Sequence, residues 1–249
     1  MLDLHFHSTA SDGAKTPAEI LTLANTGDIL TCTDHDIVND EFVQLAREKW
    51  IQTLESVEIS ANDTDTPDKL QLHITYYAKK IGNNLRNDLE KMRKYKMERI
   101  RLSIERLQFN GIQINLESFY EYYINRGLKI GNLNNSHIAE YVYLNENNPL
   151  IIERLAWRPL TSWEFVTECL KHSGKHSTIG VSHIDLRERC NIDIRHVMTM
   201  AKIDNAITSL AHPNFSLKTL DRYRELIPYY HRLGLSAVEI NTAATKEWT

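Results

Sequence analysis

The sequence has 249 residues, of which 42% are hydrophobic and 25% charged, and its formal net charge is -4. These values are typical of a globular protein and give no sign of the charge excess that binds duplex nucleic acid or an anionic membrane surface. The three cysteines are widely separated and odd in number, which argues against a disulfide framework. A signal-peptide pattern and a bilayer-spanning apolar run are both missing, so the sequence predicts a cytoplasmic protein.

The first part of the chain alternates between strand and helix patterns. Thr16 is followed by Pro17 and, three residues after the cap, by Glu19, which is the signature of a capped helix N-terminus. The alternation is typical of parallel βα units, although no helix separates the third and fourth predicted strands. Strands are predicted at 2–7, 28–36, 55–60 and 69–77, and helices at 16–25 and 40–50.

Helical spacing dominates the middle of the chain. Apolar residues predict a long helix over 84–110, which Gly111 is placed to end. Strand and helix patterns then return, with helices predicted at 192–204 and 219–234 and strands at 205–213 and 235–241. We therefore expect two parts: a βα part formed by 1–82 and 176–249, and a helical insertion over 83–175.

Histidines and acids recur at or near the ends of the predicted strands. In the opening LHFHSTASDG, His5 and His7 share one face of a strand, and Asp12 follows in the next turn. A lone histidine is usually an ordinary core or surface residue, but five strands here carry such a residue. If the strands are parallel, these side chains lie on one rim. The further residues of this kind are Asp34, His35, Asp36, Glu58, His73 and His212.

The residue types indicate a metal centre. Imidazoles and carboxylates without thiolates suit Zn²⁺, Mn²⁺ or Fe²⁺. The set exceeds what one ion accepts, since tetrahedral zinc takes about four ligands. We therefore expect two to three divalent ions, with a carboxylate such as Glu58 as a bridge. Ions clustered about 3.5–4 Å apart are used to hydrolyse phosphate esters, because they activate water and neutralise the leaving group.

The motifs LHFHSTASDG, TDHD, VEIS, QLHIT and LAHP, in this order, resemble those of the PHP (polymerase and histidinol phosphatase) superfamily of metal-dependent phosphoesterases. The resemblance is strongest over 1–80 and returns at about 205–241. It implies an α/β fold, a distorted seven-stranded, TIM-like barrel with a helical insertion after the fourth strand. The opening is most similar to small stand-alone phosphatases that act on nucleoside 3′,5′-bisphosphates and short oligonucleotides.

The resemblance also distributes the ligands over the ions. It implies that His5, His7 and Glu58 hold a first ion. Glu58 would bridge to a second ion, which His73 and His212 also hold.

By the same resemblance, Asp12 and His35 would hold a third ion, and Asp34 would orient a ligand histidine. The family closes its site with an Asp-x-His pair after the last strands, whereas this sequence ends AVEINTAATKEWT. We expect either a truncated product or a centre that lacks one ligand of the first ion and one of the third.

The predicted insertion departs from the family pattern at a second point. The small phosphatases carry Arg-x-His-Ile-Ala there, and the arginine contacts substrate phosphate. Here the segment reads NSHIAEYV, so that His137 matches and Asn135 stands in place of the arginine. A neutral amide cannot form the charged, forked hydrogen bonds of a guanidinium. We expect both residues to contact substrate, with altered phosphate affinity or substrate choice.

The ligand set and this resemblance together predict a metal-dependent phosphoesterase that uses metal-activated water, and the resemblance implies a small nucleotide substrate, either a nucleoside 3′,5′-bisphosphate or a short oligonucleotide. Two alternatives remain open: a phosphatase for a histidinol-phosphate-type monoester, and a PHP module that binds metal without turnover. The expected partner is a small phosphorylated substrate rather than a membrane or stable duplex nucleic acid. The oligomeric state is open.

Overall fold

A computed structural model describes residues 1–66 and 69–240 of the chain. The last residues of the predicted βα part, 241–249, lie outside the described residues. The chain divides into two compact units, the first containing Met1–Met92 and the chain from Glu188 onward, the second Arg93–Arg187. The division falls inside a long helix, whereas the sequence predicts the change of character at residue 83, where that helix begins.

The first unit contains the strands of the described residues, arranged in two sheets. β1 and β2 pair in parallel, and the other five follow the order β5-β3-β4-β6-β7. Two isolated bridges lie beside the sheets, one between Ile29 of β2 and Gln52 before β3, the other between His35 after β2 and Glu58 of β3. Strand pairing in the described residues therefore does not close the predicted seven-stranded barrel. The strands are β1 (Leu2–Phe6), β2 (Ile29–Cys32), β3 (Glu55–Asp63), β4 (Leu70–Ala78), β5 (Ile192–Asp193), β6 (Ile207–Leu210) and β7 (Ala237–Val238).

The direction of β4 differs from the expectation of parallel strands. β4 is antiparallel to both β3 and β6, whereas β3 is parallel to β5 and β6 is parallel to β7. The connection at 64–69 is too short for the crossover that parallel neighbours require. His73 therefore reaches the rim from near the beginning of its strand, in register with Ser60 of β3. The parallel expectation was wrong for this strand.

The helices begin and end where local signals place them. The side chain of Thr16 accepts a hydrogen bond from the Glu19 amide, and the Glu19 carboxylate accepts one from the Thr16 amide, as predicted. Gly111, with φ of +83°, follows α3 and supplies the left-handed residue that ends it. The helices are α1 (Pro17–Leu21), α2 (Asp40–Glu48), α3 (Asn83–Phe109), α4 (Leu116–Ile124), α5 (Asn135–Val142), α6 (Asn148–Ala156), α7 (Ser162–Cys169), α8 (Ile194–Asp204), α9 (Pro213–Leu217) and α10 (Leu220–Leu233).

Alternation along β3 and β4 separates a core face from a polar face. Apolar side chains of one face pack with α3, α8 and α10 in the main core of the first unit. Side chains of a strand alternate between faces, so Glu58 and His73 project together from the opposite side. The core face carries Val57, Ile59, Ala61, Leu72, Ile74 and Tyr76.

The second unit is helical and has a core of its own. Apolar residues of the C-terminal part of α3 pack there with α4, α5, α6 and α7. Phe119 and Phe165 are among its largest fully buried side chains. Among the described residues of both units, none of the helices combines the length and the apolar character needed to cross a membrane.

Candidate metal centre

Glu58, a fully buried carboxylate of β3, lies among five imidazoles. Three of them surround its Oε2 atom. His5 Nε2 lies 3.3 Å from it, His7 Nε2 lies 3.1 Å away, and His35 Nδ1 lies 3.3 Å away. His5 is the penultimate residue of β1, and His7 follows the strand on the same side, as the period of a strand predicts.

The other oxygen of Glu58 contacts two further imidazoles. Its Oε1 lies 3.0 Å from His73 Nδ1 and 2.7 Å from His212 Nε2. His73 comes from β4, beside β3, and His212 from the turn between β6 and α9. The two oxygens thus face separate sets of histidines, which is the arrangement a bridging carboxylate needs.

Asp12 extends the cluster beyond Glu58. Its Oδ1 lies 3.7 Å from His7 Nδ1, and its Oδ2 lies 3.5 Å from His35 Nε2. Three overlapping groups have donor atoms within 4.8 Å of one another: His5, His7 and Glu58; His7, Asp12 and His35; and His35, Glu58 and His73.

The donor set fits divalent ions. Each close approach of a ring nitrogen to a carboxylate oxygen requires a proton or a metal ion between two lone pairs. A neutral imidazole carries one proton, whereas His5, His7 and His35 each direct both ring nitrogens at carboxylate oxygens, so each neutral ring leaves one of its two contacts without a proton. Divalent ions shared by these donors would accept the lone pairs that lack a proton. The residues present therefore suit the metals expected from the sequence.

The pKa of Glu58 reflects this setting. Burial alone would raise it, but hydrogen bonds from the surrounding histidines, His212 first, lower it far below the ordinary value. For the histidines, burial tends to lower the pKa, but at His5 and His7 the contacts with Glu58 outweigh this effect, so that both pKa values are raised. At His35, burial prevails and lowers the pKa. Glu58 is thus ionised at every ordinary pH, as a metal ligand must be.

Two buried aspartates shape the loops that present these ligands. Asp34 accepts hydrogen bonds from the Ser8 amide at 2.7 Å and the Ser11 hydroxyl at 2.6 Å. The same hydroxyl lies 3.4 Å from His7 Nδ1, so Asp34 reaches this imidazole through Ser11. Asp36 accepts from the amide of Ser60 at 2.7 Å and thereby joins the segment after β2 to β3.

Glu239 belongs to the same surroundings, and the predicted ligand set did not include it. It follows β7, with its Oε2 3.0 Å from His5 Nδ1 and 2.8 Å from the backbone nitrogen of His212. An acid at the end of the last predicted strand, in AVEIN, is the signal that would have found it.

The two predicted substrate contacts lie in the second unit. Asn135 begins α5, and its amide nitrogen donates to the Leu170 carbonyl at 2.7 Å. His137 is buried, and its Nδ1 lies 3.0 Å from the Asn134 amide nitrogen. One of the two N–H donors of the Asn135 side chain is therefore used within its own unit, whereas a guanidinium would have five donors to offer.

Comparison with known proteins links the chain to phosphate-ester hydrolases. No family model matches the sequence. A 5′-3′ exoribonuclease of Haemophilus influenzae is 42% identical over 64 residues, which are 24% of this chain and 23% of that protein. A 3′,5′-nucleoside bisphosphate phosphatase of Chromobacterium violaceum is 40% identical over 65 residues, again 24% and 23% of the two chains. The matches thus span under a quarter of these relatives.

Similarity to solved structures extends over nearly the whole chain. An amidohydrolase from Chromobacterium violaceum, solved with bound sulfate and no metal, superposes with a TM-score of 0.68 at 18% identity, covering 95% of this chain and 75% of that one. A protein from Bifidobacterium adolescentis described as a metal-dependent phosphoesterase gives 0.65 at 18% identity, covering 96% and 76%. In its mixed α/β fold and in a short stretch of sequence, the chain therefore resembles the PHP-type metal-dependent phosphoesterases.

Proposed function

We propose that this chain is a metal-dependent phosphoesterase. The observation that carries the proposal is the placement of Glu58, fully buried, within 3.3 Å of five imidazoles. Such a set has no purpose in packing, because each buried polar contact costs desolvation that apolar residues would avoid. A centre with this composition is typical of enzymes that hydrolyse phosphate esters.

Each ligand has a proposed place in the centre. His5, His7 and Glu58 would hold a first ion, Glu58 with His73 and His212 a second, and Asp12 with His35 a third. Two or three Mn²⁺, Zn²⁺ or Fe²⁺ ions would stabilise charge on the phosphoryl oxygens and activate a water molecule. Asp34 would orient His7 through Ser11.

The proposed substrate is a small nucleotide, either a nucleoside 3′,5′-bisphosphate or a short oligonucleotide. The opening motif and the 65-residue similarity to a bisphosphate phosphatase support this choice. In the second unit, we propose Asn135 and His137 as substrate contacts. Arg99 supports a phosphate-binding role for this unit, because its buried Nε has no hydrogen-bond partner among the described residues.

We also propose that the strands of the first unit form a distorted barrel and that 83–175 is an insertion in it. Two contacts between the larger sheet and β1 support the barrel. The Tyr77 hydroxyl of β4 donates to the Leu4 carbonyl of β1 at 2.8 Å. Glu239, which follows β7, lies against His5 at the end of β1. Both contacts bring strands of the larger sheet to β1.

The test is phosphate release in the presence of Mn²⁺ from a 3′,5′-bisphosphate, a mononucleotide, a short oligonucleotide and histidinol phosphate. We expect turnover of the bisphosphate or oligonucleotide, and its loss in His7→Ala. His196→Ala is the matched control, because His196 is exposed and pairs with Asp88 in the same unit. Equal turnover in wild type and His7→Ala would overturn the proposal. Turnover of histidinol phosphate alone would mean that the substrate is a monoester of this type and not a nucleotide. Metal binding without turnover would indicate a non-catalytic module.

A further inference from the structure

We propose that Glu239 is a positioning residue that holds two histidines of the metal centre, His5 through its ring and His212 through its backbone. The inference rests on the proposed function, because it concerns the same centre. It assigns a role to a residue that lies outside the three ligand groups.

One carboxylate oxygen makes both contacts. Glu239 Oε2 lies 3.0 Å from His5 Nδ1 and accepts from the His212 amide at 2.8 Å. Glu239 is itself held in place, since its own amide donates to the Leu210 carbonyl at 2.9 Å. The residue thus ties the end of β1 to the turn after β6 from a fixed backbone position.

At His5 the contact determines which nitrogen carries the proton. Nε2 faces Glu58 at 3.3 Å, and Nδ1 faces Glu239 from the other side of the ring. A carboxylate at Nδ1 favours a proton there, so that the lone pair of Nε2 is free for an ion shared with Glu58. Carboxylates in this position orient the ring and make it a better metal ligand.

At His212 the contact acts on the backbone. Its φ of 27° lies in the left-handed region, which costs energy for a residue other than glycine. Its Nδ1 is buried without a hydrogen-bond partner in the described part of the chain, so a ring contact of the kind seen at His5 is missing here. The hydrogen bond from its amide to Glu239 therefore stabilises the backbone that directs Nε2 at Glu58.

The test measures binding of Mn²⁺ alone to the full chain by equilibrium dialysis. We expect Glu239→Ala to raise the Kd for Mn²⁺ about 10- to 100-fold, as loss of such partners does elsewhere. Glu239→Gln keeps an acceptor oxygen and should recover part of this loss. The matched control is Glu55→Ala on β3, whose carboxylate accepts from the Ile81 amide and from Arg86 and touches no ligand histidine in the described structure. A Kd for Glu239→Ala within twofold of wild type, or equal to that of the control, would overturn the proposal.

A second readout reports on His5 directly. Nitrogen-15 spectra of histidine-labelled protein show which ring nitrogen carries the proton. In the Zn²⁺-loaded protein, we expect His5 to be protonated at Nδ1 in the wild type and to show a mixture of tautomers in Glu239→Ala. Unchanged protonation in that variant would contradict the assigned role.

Neither measurement uses a substrate, so this inference and the proposed function can fail separately. Glu239-dependent Mn²⁺ binding in a protein that releases no phosphate would support the positioning role and refute the phosphoesterase. Phosphate release by a Glu239→Ala protein with normal Mn²⁺ affinity would support the phosphoesterase and refute the positioning role of Glu239.

Discussion

Asp34 offers the sharpest test of how the loop carrying Asp12 is held. The side chain is fully buried and accepts from the Ser8 amide and from Asn39 Nδ2, both at 2.7 Å. The hydroxyls of Ser8 and Ser11 also donate to it. We expect Asp34→Ala to destabilise the first unit strongly, because several donors lose their acceptor at once.

The size of the stability loss follows from the donors that cannot reach another acceptor. Hydroxyl groups rotate to find other acceptors, but the Ser8 amide and one N–H of Asn39 are fixed in place. An unsatisfied buried donor costs about 1–3 kcal/mol, so the two together cost about 2–6 kcal/mol. A typical domain has a free energy of unfolding of about 5–15 kcal/mol, so the loss is a large share of the total.

The assay is urea unfolding followed by circular dichroism in EDTA, with hydrogen exchange over residues 7–13 as a local probe. We expect lower unfolding free energy and faster exchange of the Ser8 amide in Asp34→Ala. Asp3→Ala is the matched control, since Asp3 accepts from the His5 amide at an exposed position and its loss should change stability by less than about 0.5 kcal/mol. An unfolding free energy for Asp34→Ala equal to that of the control would refute this reasoning.

Two further predictions concern charge. Glu58→Gln keeps the shape of the side chain but removes the charge shared by five imidazoles, so its affinity for Mn²⁺ should fall by more than about 100-fold. Equilibrium dialysis measures this affinity, and Glu55→Gln is the control whose affinity should not change. Equal Mn²⁺ affinities of the two variants would contradict the role of Glu58. Hydrogen bonds from Thr161 and Arg158 lower the pKa of Glu164 to about 2 from 4.5, so its stabilising effect is complete above pH 4.5 and is lost as the pH falls toward 2. Thermal unfolding of Glu164→Gln should therefore depend less on pH in this range than the wild type, and parallel curves would contradict the assignment.

Local patterns in the sequence were enough to find the residues that gather around Glu58. His5, His7 and Asp12 follow from strand period and turn chemistry, and the acid or histidine near other strand ends follows the same rule. The structure brings these side chains together, while their roles toward metal ions remain predictions. Local signals suffice here because each ligand lies in a strand or in the loop that follows one.

Contacts between distant segments were not predictable in the same way. Asp34 and Ser8 are 26 residues apart, and His5 and Glu239 are 234 apart, so neither pair leaves a periodic signal in the sequence. The expectation that β4 runs parallel to its neighbours was wrong, because a strand pattern looks the same in either orientation. Only the short connection before β4 indicates a hairpin. The sheets likewise depend on pairing register, which a single sequence does not display.

The spread of the ligands along the chain gives the centre a mechanical consequence. Glu58 and His212 meet across 154 residues, and His5 and Glu58 across 53. Ions held by all three would act as cross-links of the folded chain, and at a free concentration of about 100 times their Kd they would stabilise it by about 2.7 kcal/mol. A chelator should then loosen the first unit as reduction loosens a disulfide-bonded protein. During synthesis this cross-link cannot form until His212 has emerged.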